Sequence, residues 1–430
     1  MTTAAPSSAD GATPPTPDHD ETMPGGNIPD YSEDLHDVAH QVALLRDVLQ
    51  SEKRRIGFFF GAGCPLGIYD EANRASVKHI PDVAGLTEQI AAKLAEDGSL
   101  LGQWDSLIRM CDKSNVTVGG GIKINVEHIL TEIRTICSLS GVQSVGTLDP
   151  KLLRDLDSAI CKHIAGIVGK KLPHYKTSYH RFAEWLGKID RDHPVEIFTT
   201  NYDLLLEESL ELNRIPFFDG FVGSREPFFD LHAMEQDAVP SRWARLWKIH
   251  GSINWVRRED GPVFRSHLSG DAEQLLIYPS HLKYDQSRRM PYLAMMDRLR
   301  AFLRSPHPVL VICGYSFSDA HINDVIFDGL STNRSAQVFA LMYVGLRNCG
   351  ESIMQARKRP NLSLLAFDGG VIGGRCGGFR AMDSVDLPAG SGYFVVNPSD
   401  PNDMRKPPRS RCNLGDFHHL SLFFETQISG

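Results

Sequence analysis

Four apolar runs, each stopping in glycine or in a short polar string, constrain this chain more than any other feature. The first is Ile56-Gly-Phe-Phe-Phe60, entering Gly61-Ala62-Gly63-Cys64-Pro-Leu-Gly67. The second is Val195-Glu-Ile-Phe-Thr-Thr200-Asn201-Tyr-Asp203, and the third is Leu246-Trp-Lys-Ile-His250-Gly-Ser252. The fourth is Val309-Leu-Val-Ile-Cys-Gly314-Tyr-Ser316-Phe-Ser-Asp319-Ala-His-Ile-Asn323. Nearly continuous apolar runs suit strands of a parallel sheet covered on both faces. In such sheets ligands bind beyond the carboxyl ends of the strands. Glycine at those ends lets the main chain approach a phosphate closely, and a following helix adds its positive end. The expected fold is therefore α/β, with a ligand site assembled from four strand ends.

With 430 residues the chain can bury a full core, and 42% hydrophobic and 23% charged residues are ordinary for a globular protein. The net charge of −8 is concentrated at one end. Residues 1–45 hold eight carboxylates (Asp10, Asp18, Asp20, Glu21, Asp30, Glu33, Asp34, Asp37) and no Lys or Arg. That leaves 53 − 8 = 45 acidic residues against 45 basic ones in the remainder. A formally neutral body carries no electrostatic footprint for nucleic acid. The 8 cysteines are scattered without a C-x-x-C pair, which argues against a zinc module or a disulfide framework. No run reaches the roughly 18 apolar residues of a spanning helix. The N-terminus lacks the basic and apolar regions of a secretory signal, so the cytoplasm is the expected compartment.

Residues 1–31 are rich in Pro, Thr, Ser, Gly and Asp and are expected to be a disordered acidic tail. Apolar spacing from Ser32 to Leu49 predicts an amphipathic helix leading into the first strand. The stretch 70–193 reads as a helical insertion. Leu86, Ile90 and Leu94 share a helix face, Asp149-Pro150 is a helix start, and Leu152, Leu156, Ile160, Ile164 and Val168 continue at helical spacing. Another helix carries Tyr179, Phe182, Leu186 and Ile189, whereas Val116–Ile122 reads as a loop. After Asp203 come a short helix (Leu204–Leu212), an irregular aromatic segment (Phe217–Phe229), and strand-like runs at Leu275–Tyr278, Val309–Cys313, Val338–Val344 and Leu362–Phe367. Arg288, Arg289, Arg298, Arg300 and Arg304 read as a solvated helix face above Leu293, Met296, Leu299 and Leu303. Residues 369–430 read as a C-terminal extension, Gly-rich, then Pro/Arg-rich, ending in an apolar element at Leu420–Phe424. The nucleotide-binding unit is expected over 32–69 and 194–368.

The order of Gly61-Ala62-Gly63, Thr199-Thr200-Asn201-Tyr-Asp203, His250-Gly251 and Gly314-Tyr-Ser316 resembles the sirtuin family, over roughly Arg54 to Asp368. The Gly314–Asn323 string is most similar to its prokaryotic branch of NAD hydrolases in antiphage defence. The resemblance implies a Rossmann-like sheet of sirtuin type with NAD as substrate. It also implies a homo-oligomer, acting beside a HerA-type ATPase or an Argonaute-like protein. Deacylases of the family hold zinc between the His-Gly and Gly-Thr-Ser strands, but no cysteine lies between Gly251 and Ile312 here, so no metal site is expected. The Ile-Pro-Asp-Phe-Arg stretch that follows the first turn in the family is replaced by a displaced Ile80-Pro-Asp82-Val. Acyl-lysine transfer is put in doubt by both departures.

Cleaving the N-glycosidic bond of NAD builds positive charge on the ribose as nicotinamide leaves. The resemblance assigns Asn201 to the ribose or the attacking water, and His250 to general base catalysis on a ribose hydroxyl or the water, a role contributing about 10²–10⁴-fold. Amides of Gly61, Ala62 and Gly63 would hold the diphosphate, and Cys64 and Thr200 are further expected contacts of the dinucleotide. Asp203 would accept from the carboxamide, and Gly314, Ser316 and Asp319 would face the adenosine ribose. Each residue also has a structural reading: a tight turn for the glycines, an Asx turn for Asn201, a helix cap for Asp203, a core histidine for His250, and simple packing for Cys64. Three functions stay open: NAD glycohydrolase used as a defence effector, NAD-dependent deacylase or ADP-ribosyltransferase, and a non-catalytic subunit sensing NAD or ADP-ribose.

Overall fold

The computed structural model describes residues 35–70, 78–114, 124–140, 148–236, 239–257, 262–266, 274–277, 291–380, 394–396 and 410–428. The expected acidic tail, the Val116–Ile122 loop, Arg288 and Arg289 lie outside them.

Arg55–Phe60 runs through a 10-stranded sheet. Along the sheet the order is Leu35–His36, Arg375–Phe379, Gly369–Ile372, Leu362–Leu365, Gln337–Leu341, Pro308–Cys313, Arg55–Phe60, Glu196–Thr199, Ala244–Lys248 and Phe217–Phe218. The strands from Leu362–Leu365 to Phe217–Phe218 are all parallel. Leaving out the two-residue edge strand Phe217–Phe218, they follow the doubly wound order 3-2-1-4-5-6. Chain direction across the sheet therefore reverses between Arg55–Phe60 and Pro308–Cys313, the topological switch point where such folds bind ligands.

Strand alternation divides the core in two. Phe58 and Phe60 face one layer, where Phe58 meets Phe182, Trp185 and Phe424 at ring separations of 5.1, 5.5 and 5.5 Å. Phe59 faces the other, against Tyr315 at 4.8 Å. The first layer carries the helices Val38–Gln50, Ser178–Lys188 and Phe417–Ile428, and the second carries Tyr292–Arg304, Ala320–Thr332 and Glu351–Lys358. Helices on both faces explain why these strands are apolar at almost every position.

The helix expected from Ser32 begins at Val38, because Leu35–His36 pairs with Arg375–Phe379 and the Asp37 side chain caps the helix by accepting from the His40 amide. Described parts of the C-terminal extension pack on the main sheet. Gly369–Ile372 and Arg375–Phe379 continue the main sheet, and Phe417–Ile428 docks on its core with Glu425 paired to Lys176 at 2.7 Å and to Arg181 at 3.1 Å. The insertion contains helices Val83–Asp97, Leu101–Ser114, Val126–Ser140 and Pro150–Val168. Its buried Arg134–Asp157 pair spans 2.7 Å. The Asp149 side chain caps Pro150–Val168 as expected, although Leu153 rather than Leu152 faces inward.

Gln274–Ile277 belongs to a separate 5-stranded sheet, antiparallel to Gly251–Arg257. Trp255 packs on Phe221 at 5.1 Å within it, and Arg265 pairs with Asp219 at 2.6 Å. Arg298 is not a solvated charge. It lies 5.2 Å from the Trp247 ring centroid and 3.6 Å from Glu196, whose carboxylate also accepts from Trp247 Nε1 at 2.8 Å.

Candidate functional site

Two glycine turns cross at the switch point. The Gly61 amide donates to Cys313 O at 3.0 Å, and the Gly63 amide donates to Gly314 O at 2.8 Å. A Cβ on Gly61 would lie 2.3 Å from Gly314 O, and one on Gly314, whose φ is +67°, would lie 2.6 Å from the Cys64 nitrogen. Glycine is required because two main chains touch. The Cys64 amide donates to Gly61 O at 3.0 Å and its thiol to Cys313 O at 3.3 Å. Burial pushes that thiol far up, so it is an inert packing group. The amides of Gly61, Gly63 and Cys64 thus donate within the protein, and Ala62 is the exposed residue of the turn.

The next strand end is tied to this crossing. Thr199 Oγ1 donates to Phe60 O at 2.8 Å and accepts from the Asn201 amide at 3.0 Å. Asn201 Nδ2 then donates to Gly61 O at 3.1 Å, fixing the buried carboxamide beside the glycine turn. Thr200 is half-buried, its amide 3.4 Å from Phe60 O. Asp203 Oδ1 accepts from the Leu205 amide at 3.0 Å; the N-cap position of helix Leu205–Leu212 belongs to Leu204, so Asp203 stands one residue before the cap. Burial raises its pKa to about 6, with Lys248 opposing the rise. The Tyr179 hydroxyl, fully buried, lies beside the Asn201 side chain without a well-formed hydrogen bond.

His250 stands in the turn after Ala244–Lys248, held by the Ile249 amide donating to Thr199 O at 2.8 Å and followed by Gly251 at φ +89°. Its Nε2 lies 3.0 Å from Asp319 Oδ2, with side-chain exposures of 12% and 7%. Asp319 caps helix Ala320–Thr332, accepting through Oδ1 from the His321 amide at 2.9 Å and the Ile322 amide at 3.3 Å. Burial works to raise this carboxyl, but the His250 hydrogen bond and charge and the two amides hold it below the usual carboxylate value. An ionised Asp319 accepts the Nε2 proton and leaves Nδ1 as a proton acceptor, the arrangement of a carboxylate-oriented histidine base. Asp319, expected at the adenosine ribose, is hydrogen-bonded to His250. Ser316 is exposed, and its hydroxyl donates to Ser318 Oγ at 3.0 Å.

Supporting residues escaped the sequence reading. Tyr315 Oη donates to Asn323 Oδ1 at 2.8 Å, and Asn323 Nδ2 donates to Phe317 O at 2.7 Å, shaping the loop that delivers Asp319. Lys248 is buried with only 2% of its side chain exposed and pairs with Glu207 at 2.8 Å. The available signal was a lysine inside the apolar run Leu246-Trp-Lys-Ile. Among the described residues no three His, Cys, Asp or Glu side chains gather as metal ligands, and no helix is long and apolar enough to cross a membrane.

Fold and site define a doubly wound α/β protein with a His–Asp pair above its switch point. Residues 195–361 match the family model described as SIR2-like domain. The glycine turn at Gly61 lies outside the matched stretch. No curated protein matches the chain. Among solved structures it is similar to a Sir2 homolog–NAD complex, at 14% identity and TM-score 0.36 over 78% of this chain and 91% of that one. Another similar structure comes from work on the mechanism and regulation of Sir2 enzymes, at 10% identity and TM-score 0.34 over 72% and 89%. A third is a point mutant of a Sir2 homologue in complex with ADP-ribose, at 13% identity and TM-score 0.31 over 71% and 86%.

Proposed function

We propose that this protein is an NAD glycohydrolase that cleaves NAD to nicotinamide and ADP-ribose. The observation that carries the reading is the His250–Asp319 pair at 3.0 Å at the carboxyl ends of a doubly wound sheet, with Asn201 following the strand that neighbours the one leading into His250. Asp203 accepts from the carboxamide of the bound dinucleotide. The C1′–N bond breaks, its electron pair neutralising the pyridinium nitrogen, and a water positioned by Asn201 attacks C1′. His250 Nδ1 takes the proton from that water.

The resemblance supports a wider role as an NAD-depleting defence effector. Such an effector works as a homo-oligomer gated by assembly or by a partner such as a HerA-type ATPase or an Argonaute-like protein, since unrestrained turnover would exhaust the host cell.

Incubating purified protein with NAD and following free nicotinamide tests the activity. Release that is lost in folded His250→Ala and Asn201→Ala proteins is expected. ADP-ribose binding without any release, from the monomer or the assembled form, would replace this reading with the sensing one. Near-wild-type release from folded His250→Ala would remove His250 as the base.

A further inference from the structure

We propose that Lys248 is a positioning residue that holds the Asn201–Asp203 segment against the strand carrying His250. The inference rests on the proposed NAD-cleaving site. Lys248 lies on the strand Ala244–Lys248, two residues before His250, and its side chain is 2% exposed. A buried ammonium is stable only when its protons meet acceptors. Here Nζ donates to the carbonyl of Asp203, to the carbonyl of Tyr202 at 3.5 Å, and to Glu207 Oε1 at 2.8 Å. Two of the three acceptors are main-chain carbonyls of the segment that follows Asn201.

The same segment is joined to the His250 strand at two further points. Tyr202 O accepts from the Ile253 amide at 3.1 Å, and Ser252 Oγ approaches it at 3.5 Å. Tyr202 O is thus an anchor shared by residues 248, 252 and 253, on either side of the His250 turn. The Tyr202 ring stands 6.5 Å from the His250 imidazole. On its outer side its hydroxyl donates to Glu127 Oε1 at 3.1 Å, in helix Val126–Ser140 of the insertion. Glu207, in helix Leu205–Leu212, completes the clamp. Asn201 itself is bonded to Gly61 O on the opposite side. Losing the ammonium would therefore leave the Asn201 carboxamide held by the glycine turn, with the main chain of 202–203 less firmly tied to the strand that leads into His250.

The test compares Lys248→Met combined with Glu207→Gln, which avoids an unpaired buried carboxylate, against Lys248→Arg. In steady-state nicotinamide release from NAD, the double variant is expected to lose about 100-fold in kcat with KM changed by no more than about threefold, the signature of misplaced reacting groups rather than lost grip. Lys248→Arg, which can still donate to both carbonyls, is expected to recover at least about a tenth of wild-type kcat. Amide hydrogen exchange gives a readout independent of turnover: residues 202–205 should exchange about tenfold faster in the double variant while 58–60 are unchanged. A double variant with wild-type kcat and only a lowered Tm would overturn the inference, as would unaltered exchange at 202–205. Wild-type protein that releases no nicotinamide would instead defeat the proposed activity, and the exchange comparison would still decide the role of Lys248.

Discussion

Replacing Asp319 by Asn tests the assigned chemistry at one atom. The carboxylate accepts the Nε2 proton of His250 at 3.0 Å, which places the lone pair of the neutral imidazole on Nδ1. An asparagine in the same place can turn its amide NH₂ toward Nε2, favouring the tautomer whose proton sits on Nδ1, where a base is needed. A general base of this kind contributes about 10²–10⁴-fold, and the same exchange in serine proteases costs about 10⁴. We therefore expect nicotinamide release to fall about 10³-fold at pH 7.5. The fold should barely notice. Asn caps helices about as well as Asp, so the bonds from His321 and Ile322 survive and the loss should stay under about 1 kcal/mol.

Acid sensitivity adds a signed check. The Asp319 carboxyl sits below its usual value in the folded protein, so its stabilisation is complete above the unfolded carboxylate range and is lost as pH falls through the folded value. The stability gap between wild type and Asp319→Asn should accordingly be widest above about pH 4 and close on acidification. Discontinuous assay of nicotinamide by chromatography gives the rate, and urea melts at several pH values give the stability. If Asp319→Asn kept more than about a tenth of wild-type kcat while His250→Ala was inactive, the orienting role would be refuted.

Gly314→Ala is expected to destabilise by about 2–4 kcal/mol, combining a positive-φ penalty with overpacking against Cys64, and a denaturant midpoint within error of wild type would contradict this. Chelation by EDTA should change neither Tm nor turnover, since no cysteine lies between Gly251 and Ile312; one stoichiometric zinc per chain by elemental analysis, lost together with folding, would count against it.

Local chemistry in the sequence was enough to place the strands, the glycine turns and the residues at the strand ends. Those features depend on neighbours a few positions away: apolar runs for strands buried on both faces, Asp149-Pro150 for a helix start, and glycine where only glycine fits. Asn201 and His250 could be placed near strand ends because each lies two residues beyond its own strand. The His250–Asp319 and Lys248–Glu207 pairings were not legible, because both depend on which strand lies beside which. His250 and Asp319 are 69 positions apart, Lys248 and Glu207 are 41 apart, and only the doubly wound strand order brings them together. The amides of Gly61 and Gly63 looked available for a ligand until the Gly314 turn crossed them. Residues after 369 carried no pattern of their own strong enough to mark them as core. Gly369–Phe379 and Phe417–Ile428 gain their place by filling the sheet edge and the face opposite Phe58, surfaces that exist only once the rest has folded.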